Sequence, residues 1–115
     1  VINAGNDCLD VSAGYYNFKQ VSADNCSDKG ISVGEKSDVF SNNVNISSAN
    51  IGIAVKDSSF SRIQNLKEQN SLTCIDLYKK KQEFFGGRLE VKSVNCDGEI
   101  KTDSFSRYSL INSVQ

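Results

Sequence analysis

Histidine, proline, tryptophan and methionine are all missing from the 115-residue chain. Without histidine, Ser-His-Asp and Cys-His catalysis are excluded, and so is the commonest zinc ligand. Without methionine, the chain is expected to be a portion of a longer protein. Neither sign of charge dominates. The 13 Lys and Arg stand against 14 Asp and Glu, for a formal charge of −1, which supplies no basic field for a nucleic-acid backbone. Apolar runs are a few residues long, far short of the ~20 that span a bilayer. No charged segment followed by an apolar one opens the chain, so a signal peptide is absent or was cut away. From charge and run length, the expected partners include neither nucleic acid nor the membrane interior.

Asn and Ser make up 29 residues, a load compatible with disorder, but 25 Ile, Val and Leu are interspersed among them in a regular pattern. Cys8-Leu9-Asp10-Val11 returns as Gly30-Ile31-Ser32-Val33, then Gly52-Ile53-Ala54-Val55, then Cys74-Ile75-Asp76-Leu77. The interval is 22 residues each time, and Cys96 falls on the next multiple. Within each unit apolar residues alternate with others, a period of two on largely β-branched side chains that predicts a strand. Successive units run in one direction, so their strands pair in parallel.

A second set of stacked positions is expected at Phe18, Phe40 and Phe84, with Arg62 the odd member, and a third at Val21, Val44, Leu66 and Leu89, out of register by a residue or two. Three short strands per unit, with Gly, Ser, Asn and Asp at the corners, describe an all-β, right-handed parallel β-helix. It would have about four to five rungs of ~22 residues, roughly 4.8 Å apart. Asn25, Asn50, Asn70 and Asn95 stand near unit ends and suit either a stacked amide ladder or ordinary turns. A leucine-rich repeat has a similar period, but Leu occurs only six times and its framework is not repeated. The one helix-like stretch, 62–69, is short. Residues 1–115 are expected to form a single domain, with 97–115 an irregular last rung or cap.

The segments NDCLDVSAG (6–14), DKGISVGEKS (28–37), IGIAVKDSS (51–59) and YKKKQEFFGG (78–87) resemble bacterial right-handed β-helix repeat proteins of the pectate-lyase-like architecture. The resemblance spans about residues 6–96. It implies the fold, a secreted or cell-surface setting and, often, a carbohydrate ligand. It transfers no catalytic residue, because the architecture hosts lyases, hydrolases, epimerases and structural stalks alike.

Folding the chain on its period places Glu35, Lys36, Lys56, Asp57, Lys79 and Lys80 in one mixed-charge patch beside a corner. Opposite charges about 5 Å apart on neighbouring rungs pair, and exposed pairs contribute only ~0–1 kcal/mol each. The patch therefore serves either as a register-fixing ladder or as a site for an acidic polysaccharide. In the second case Lys56, Lys79 and Lys80 are the catalytic candidates: a Lys crowded by others has a lowered pKa, as a base next to a uronate carboxylate requires. Glu35, Lys36, Asp57 and Tyr78 are the ligand-binding candidates, and Glu35 and Asp57 are candidate Ca²⁺ ligands in a chain otherwise expected to need no cofactor. Asp7 and Asp28 are read as corner residues accepting backbone N–H groups, and Asp10 and Asp76 as too far apart to share an ion. Tyr15, Tyr16 and Tyr78 are candidate sugar-stacking residues, most other aromatics being assigned to the core.

Cys8, Cys26, Cys74 and Cys96 are read most simply as small buried thiols in a stack, with a Cys8–Cys26 or a Cys74–Cys96 bond as the alternative. The lack of histidine and of Cys-x-x-Cys argues against a zinc site or redox motif. Open β-helix ends carry unpaired edges, so an end-to-end homodimer is a candidate assembly. Two functions remain: a non-catalytic structural or carbohydrate-binding segment of a bacterial secreted or surface protein, or a polysaccharide lyase or epimerase acting on uronate-containing glycans.

Overall fold

A computed structural model describes residues 6–111. Eight strands follow one another with no helix among the described residues: β1 (Leu9–Asp24), β2 (Lys29–Ser47), β3 (Ile51–Lys56), β4 (Phe60–Gln69), β5 (Thr73–Tyr78), β6 (Arg88–Cys96), β7 (Glu99–Thr102) and β8 (Arg107–Leu110). Every pairing is parallel. The chain is a parallel β-solenoid of about five turns, formed by β1, β2, β3 with β4, β5 with β6, and β7 with β8.

The first face is the one the repeat announced. Leu9, Ile31, Ile53, Ile75 and Ile100 form one column, and Val11, Val33, Val55 and Leu77 the next. The rest of each turn is one strand by hydrogen bonding, but it bends. Ser37, Val39 and Ser41 are buried, and then the alternation changes phase and Val44 and Ile46 are buried instead. The ladder skips Asn42 and Gln64 at that bend. Two faces thus share one continuous strand where three separate strands were expected. Residues 62–69, helix-like in sequence, are the strand β4, because Ile63, Leu66 and Glu68 supply its inward positions.

Two departures from the 22-residue spacing redistribute the expected stacks. One residue is gained at the first corner, where register shifts between Ser12 and Gly14. The fourth turn then carries an insertion, so that Phe60 pairs with Arg88. Phe18 consequently stacks on Ser41, Ile63, Val91 and Leu110, whereas Phe40 faces outward beside Asn17, Arg62 and Glu90. Phe84 lies in the inserted loop 79–87. Leu89 belongs to the second face, and Val94 completes the column of Val21, Val44 and Leu66. The same insertion takes Cys96 out of the Cys74 column, where the sequence repeat had placed it.

Corners recur as pairs of left-handed residues: Ala13 and Gly14, Glu35 and Lys36, Asp57 and Ser58. Such backbone costs roughly 1–2 kcal/mol per non-glycine residue and is held by neighbouring turns, as where the Lys36 amide donates to Asp57 O at 3.0 Å. A second series of single left-handed residues, Asn25, Ser48 and Asn70, closes the first three turns. An amide ladder joins Asn65 Nδ2 to Asn43 Oδ1 at 3.1 Å. Two disulfides tie the start of a turn to its end: Cys8–Cys26, Cα atoms 5.6 Å apart, and Cys74–Cys96, 6.2 Å. Loops of this length give about 3 kcal/mol per bridge in the chain-entropy picture.

Leu66 sits in the middle of its column and is 1% exposed. Leu66→Ala is expected to lower unfolding free energy by about 2–5 kcal/mol, because a stack held on both sides cannot collapse into the cavity. Urea denaturation monitored by circular dichroism measures this, and a loss under about 1 kcal/mol would mean the turns repack freely.

Candidate functional site

The corner residues singled out by sequence lie close together but do different things. Asp57 is fully buried. Its Oδ1 accepts the Lys80 and Lys81 amides at 2.8 and 3.0 Å, while the Ser58 hydroxyl accepts the Phe85 amide at 2.8 Å. Together they pin both ends of loop 79–87 over the corner. Glu35 stays at the surface, its carboxylate taking Lys81 Nζ at 2.7 Å and the Ser12 hydroxyl at 2.7 Å. These two donors hold its pKa below the usual value. Lys36 Nζ lies 5.9 Å from the Phe84 ring centre and Lys79 Nζ 4.6 Å from that of Phe105. Lys80 is exposed. Asp57 is thus beneath the charged surface, and Lys81 is the corner's ion-pairing lysine.

Lys56 and Tyr78 turn the other way, onto the outer side of the first face. There Ser32 and Ala54 point outward yet are buried, because Lys56 lies flat across the sheet. Gly34 leaves room for it: a Cβ there would meet Lys56 Cε at 3.2 Å. Lys56 Nζ donates to Ser32 Oγ at 2.8 Å and sits 6.0 Å from the Tyr78 ring centre. Burial pulls the Lys56 pKa down, with the Lys29 and Lys80 charges adding to the effect. Burial pushes that of Tyr78 up. Lys29 is paired with Asp28 at 2.9 Å, and its amide donates to Asp7 Oδ1 at 3.2 Å.

The third face carries a groove that sequence reading missed. Ser22, Asn45, Lys67 and Asn95 form one outward column, and Asp24, Ser47, Gln69 and Asp97 line the other side. Between them lies a hollow of about 680 Å³ running along the solenoid axis, floored by the backbone between the columns. The Ser47 hydroxyl donates to Asp24 Oδ1 at 2.5 Å, and Asp97 Oδ2 accepts the Asn70 backbone N–H at 3.3 Å. Amides, hydroxyls and carboxylates predominate, with Lys67 between two asparagines. The signal was present as outward polar residues two apart, but the insertion before Arg88 displaced Asn95 and Asp97 from the grid.

On the second face Arg62 lies 5.7 Å from the ring centre of Phe40 and 5.4 Å from that of Phe60, and Arg88 lies 4.5 Å from Phe60. The guanidinium groups are engaged in this cation–π ladder. Tyr15 beside it is 88% exposed, and Phe85 and Phe105 are 76% and 57% exposed. The aromatics are therefore more peripheral than the sequence suggested. Comparison with protein-family models, curated proteins and solved structures finds no match to this chain.

Asp103 anchors the approach to the last turn. It accepts the Lys79 amide at 2.8 Å, the Phe105 amide at 3.0 Å and the Ser106 hydroxyl at 2.7 Å. Burial alone would raise its pKa, but these hydrogen bonds outweigh burial and lower it. Since the folded value lies below the unfolded one, the carboxylate adds stability above about pH 4 and loses it as pH falls through the folded value. Asp103→Ala is expected to cost about 1 kcal/mol at pH 7, with the difference from the parent chain shrinking in acid. Denaturation at a series of pH values tests it, and a pH-independent difference would assign the loss to packing instead.

Proposed function

We propose that this chain is a non-catalytic, carbohydrate-binding β-solenoid segment, and that the axial groove of the third face takes the glycan. The observation that carries this reading is the groove itself: two polar side-chain columns that repeat every rung, about 4.8 Å apart, across four turns. A β-linked pyranose chain advances by a similar distance per sugar, so successive hydroxyls meet equivalent amide and hydroxyl groups. Planar amides such as Asn45, Gln69 and Asn95 both donate and accept, which suits sugar hydroxyls. The lining carries more acidic than basic groups, Asp24, Glu68 and Asp97 against Lys67, which disfavours a polyanion and favours a neutral glycan.

The two disulfides suit an oxidising compartment, which supports a secreted or surface setting of the kind found in bacterial right-handed β-helix repeat proteins. The 16-residue β1 pairs only with β2 among the described residues, and its other edge is a natural seat for a second copy stacked end to end. A second reading rests on Lys56. An ammonium with a lowered pKa beside a tyrosine is the equipment of a base that abstracts a proton next to a uronate carboxylate.

Titration with neutral and uronate-containing oligosaccharides, followed by calorimetry, separates the two. Binding of a neutral glycan is expected, with Asn45→Ala and Asn95→Ala each weakening it about fivefold, the worth of one neutral hydrogen bond. Binding that neither substitution changes would place the glycan elsewhere, and no binding across the panel would remove the reading. The lyase alternative requires new ultraviolet absorbance from unsaturated ends on a uronate polymer, abolished by Lys56→Ala; a flat trace removes it for the polymers tried.

A further inference from the structure

Glu68 departs from the chemistry of the column in which it stands. Ala23, Ile46, Glu68 and Cys96 succeed one another along the inner side of the third face, and Glu68 is only 4% exposed. Gly52 faces it, where a Cβ would meet Cys74 O at 2.6 Å and Glu68 Cγ at 3.0 Å, just as Gly30 faces Ile46 one turn earlier. Buried carboxyls ordinarily have hydrogen-bond partners. Neither Oε1 nor Oε2 has a well-formed one among the described residues; the buried Ser71 hydroxyl and the Gly98 backbone N–H approach the carboxyl only loosely. An apolar residue like Ile46, one turn away, would pack this position at lower cost.

Against this carboxyl lies the Cys74–Cys96 disulfide. A Glu68 oxygen and the two sulfur atoms all fall within 4.8 Å of one another, and no comparable group surrounds Cys8–Cys26 among the described residues. Disulfide sulfurs are weak ligands, whereas thiolates are strong ones. We propose that reduction of Cys74–Cys96 opens a metal site inside the fourth turn, where the two thiolates and the Glu68 carboxylate hold one thiophilic divalent cation such as Zn²⁺. A dithiol supplies two electrons and two protons, becoming a disulfide itself as Cys74 and Cys96 become thiols. The cation then displaces the two thiol protons, and any proton on Glu68, to solvent. Tetrahedral coordination at Zn–S distances of 2.3 Å needs the sulfurs roughly 3.8 Å apart, a separation that Cα atoms 6.2 Å apart allow. Water fills the fourth position. The ion supplies the positive charge that the fold withholds from Glu68.

The full chain, reduced by a dithiol and desalted under argon, is titrated with Co²⁺ while absorbance and circular dichroism are recorded together. One equivalent is expected to produce a thiolate-to-cobalt charge-transfer band and the visible bands of a tetrahedral ion, with the β-sheet signal retained and no such bands before reduction. The doubly substituted Cys8→Ser, Cys26→Ser chain should behave alike. Glu68→Gln should weaken cobalt binding at least about tenfold, and Cys74→Ser with Cys96→Ser should abolish the bands. Absence of a charge-transfer band, a band from a chain that has lost its sheet signal, or equal affinity in Glu68→Gln would each overturn the proposal.

Discussion

A parallel solenoid depends on closure: each turn must bring the backbone back above its starting point, one hydrogen-bond spacing further along the axis. Here the left-handed corner pairs do this. Ala13-Gly14, Glu35-Lys36 and Asp57-Ser58 reverse the chain at equivalent places, and only then do the ladders align and the Ile, Val and Leu columns meet. Strain at a corner is tolerated because the next turn binds it. Asp57 and Ser58, for instance, have no fourth left-handed pair above them among the described residues and are secured by loop 79–87 instead. The disulfides act on the same closure, each clipping the beginning of a turn to its end.

Closure also decides what the surface can do. Outward side chains are forced into columns, so any binding surface is built from residues that lie about 22 apart in sequence and share a face. The mixed-charge corner looked like the best such surface. It is instead largely occupied: Asp57 is covered, Glu35 is paired with Lys81, and Lys36 and Lys79 rest on aromatic rings. The third face has a different character. Its polar columns flank a hollow and leave amides directed outward, the arrangement on which the proposed glycan binding rests.

The first face was legible because its residues keep a strict 22-residue spacing and alternate cleanly. The second and third were legible only in part. Phe84 matched the period arithmetically and Leu89 fell within a residue of it, but an insertion between β5 and β6 moved one into a loop and the other to a different face. Residues 62–69 carry a spacing of apolar side chains that suits a helix, since a bend in a strand changes the phase of alternation and imitates a longer period. Cys74 and Cys96 are separated by one nominal repeat and so seemed stacked. The insertion carries Cys96 instead to the end of the turn that Cys74 begins, where the two are bonded.

The sequence by itself determined the class of fold, the parallel sense of its sheet and the identity of the first face, because these follow from periodicity, and periodicity is a local property summed along the chain. Only tertiary structure decided which residues beyond the insertion share a column, that Asp57 is buried under a loop, and that Glu68 is buried beside a disulfide. Those facts depend on register between turns. A single added residue at a corner, or several in one loop, changes every later neighbour while leaving the local pattern of each strand intact.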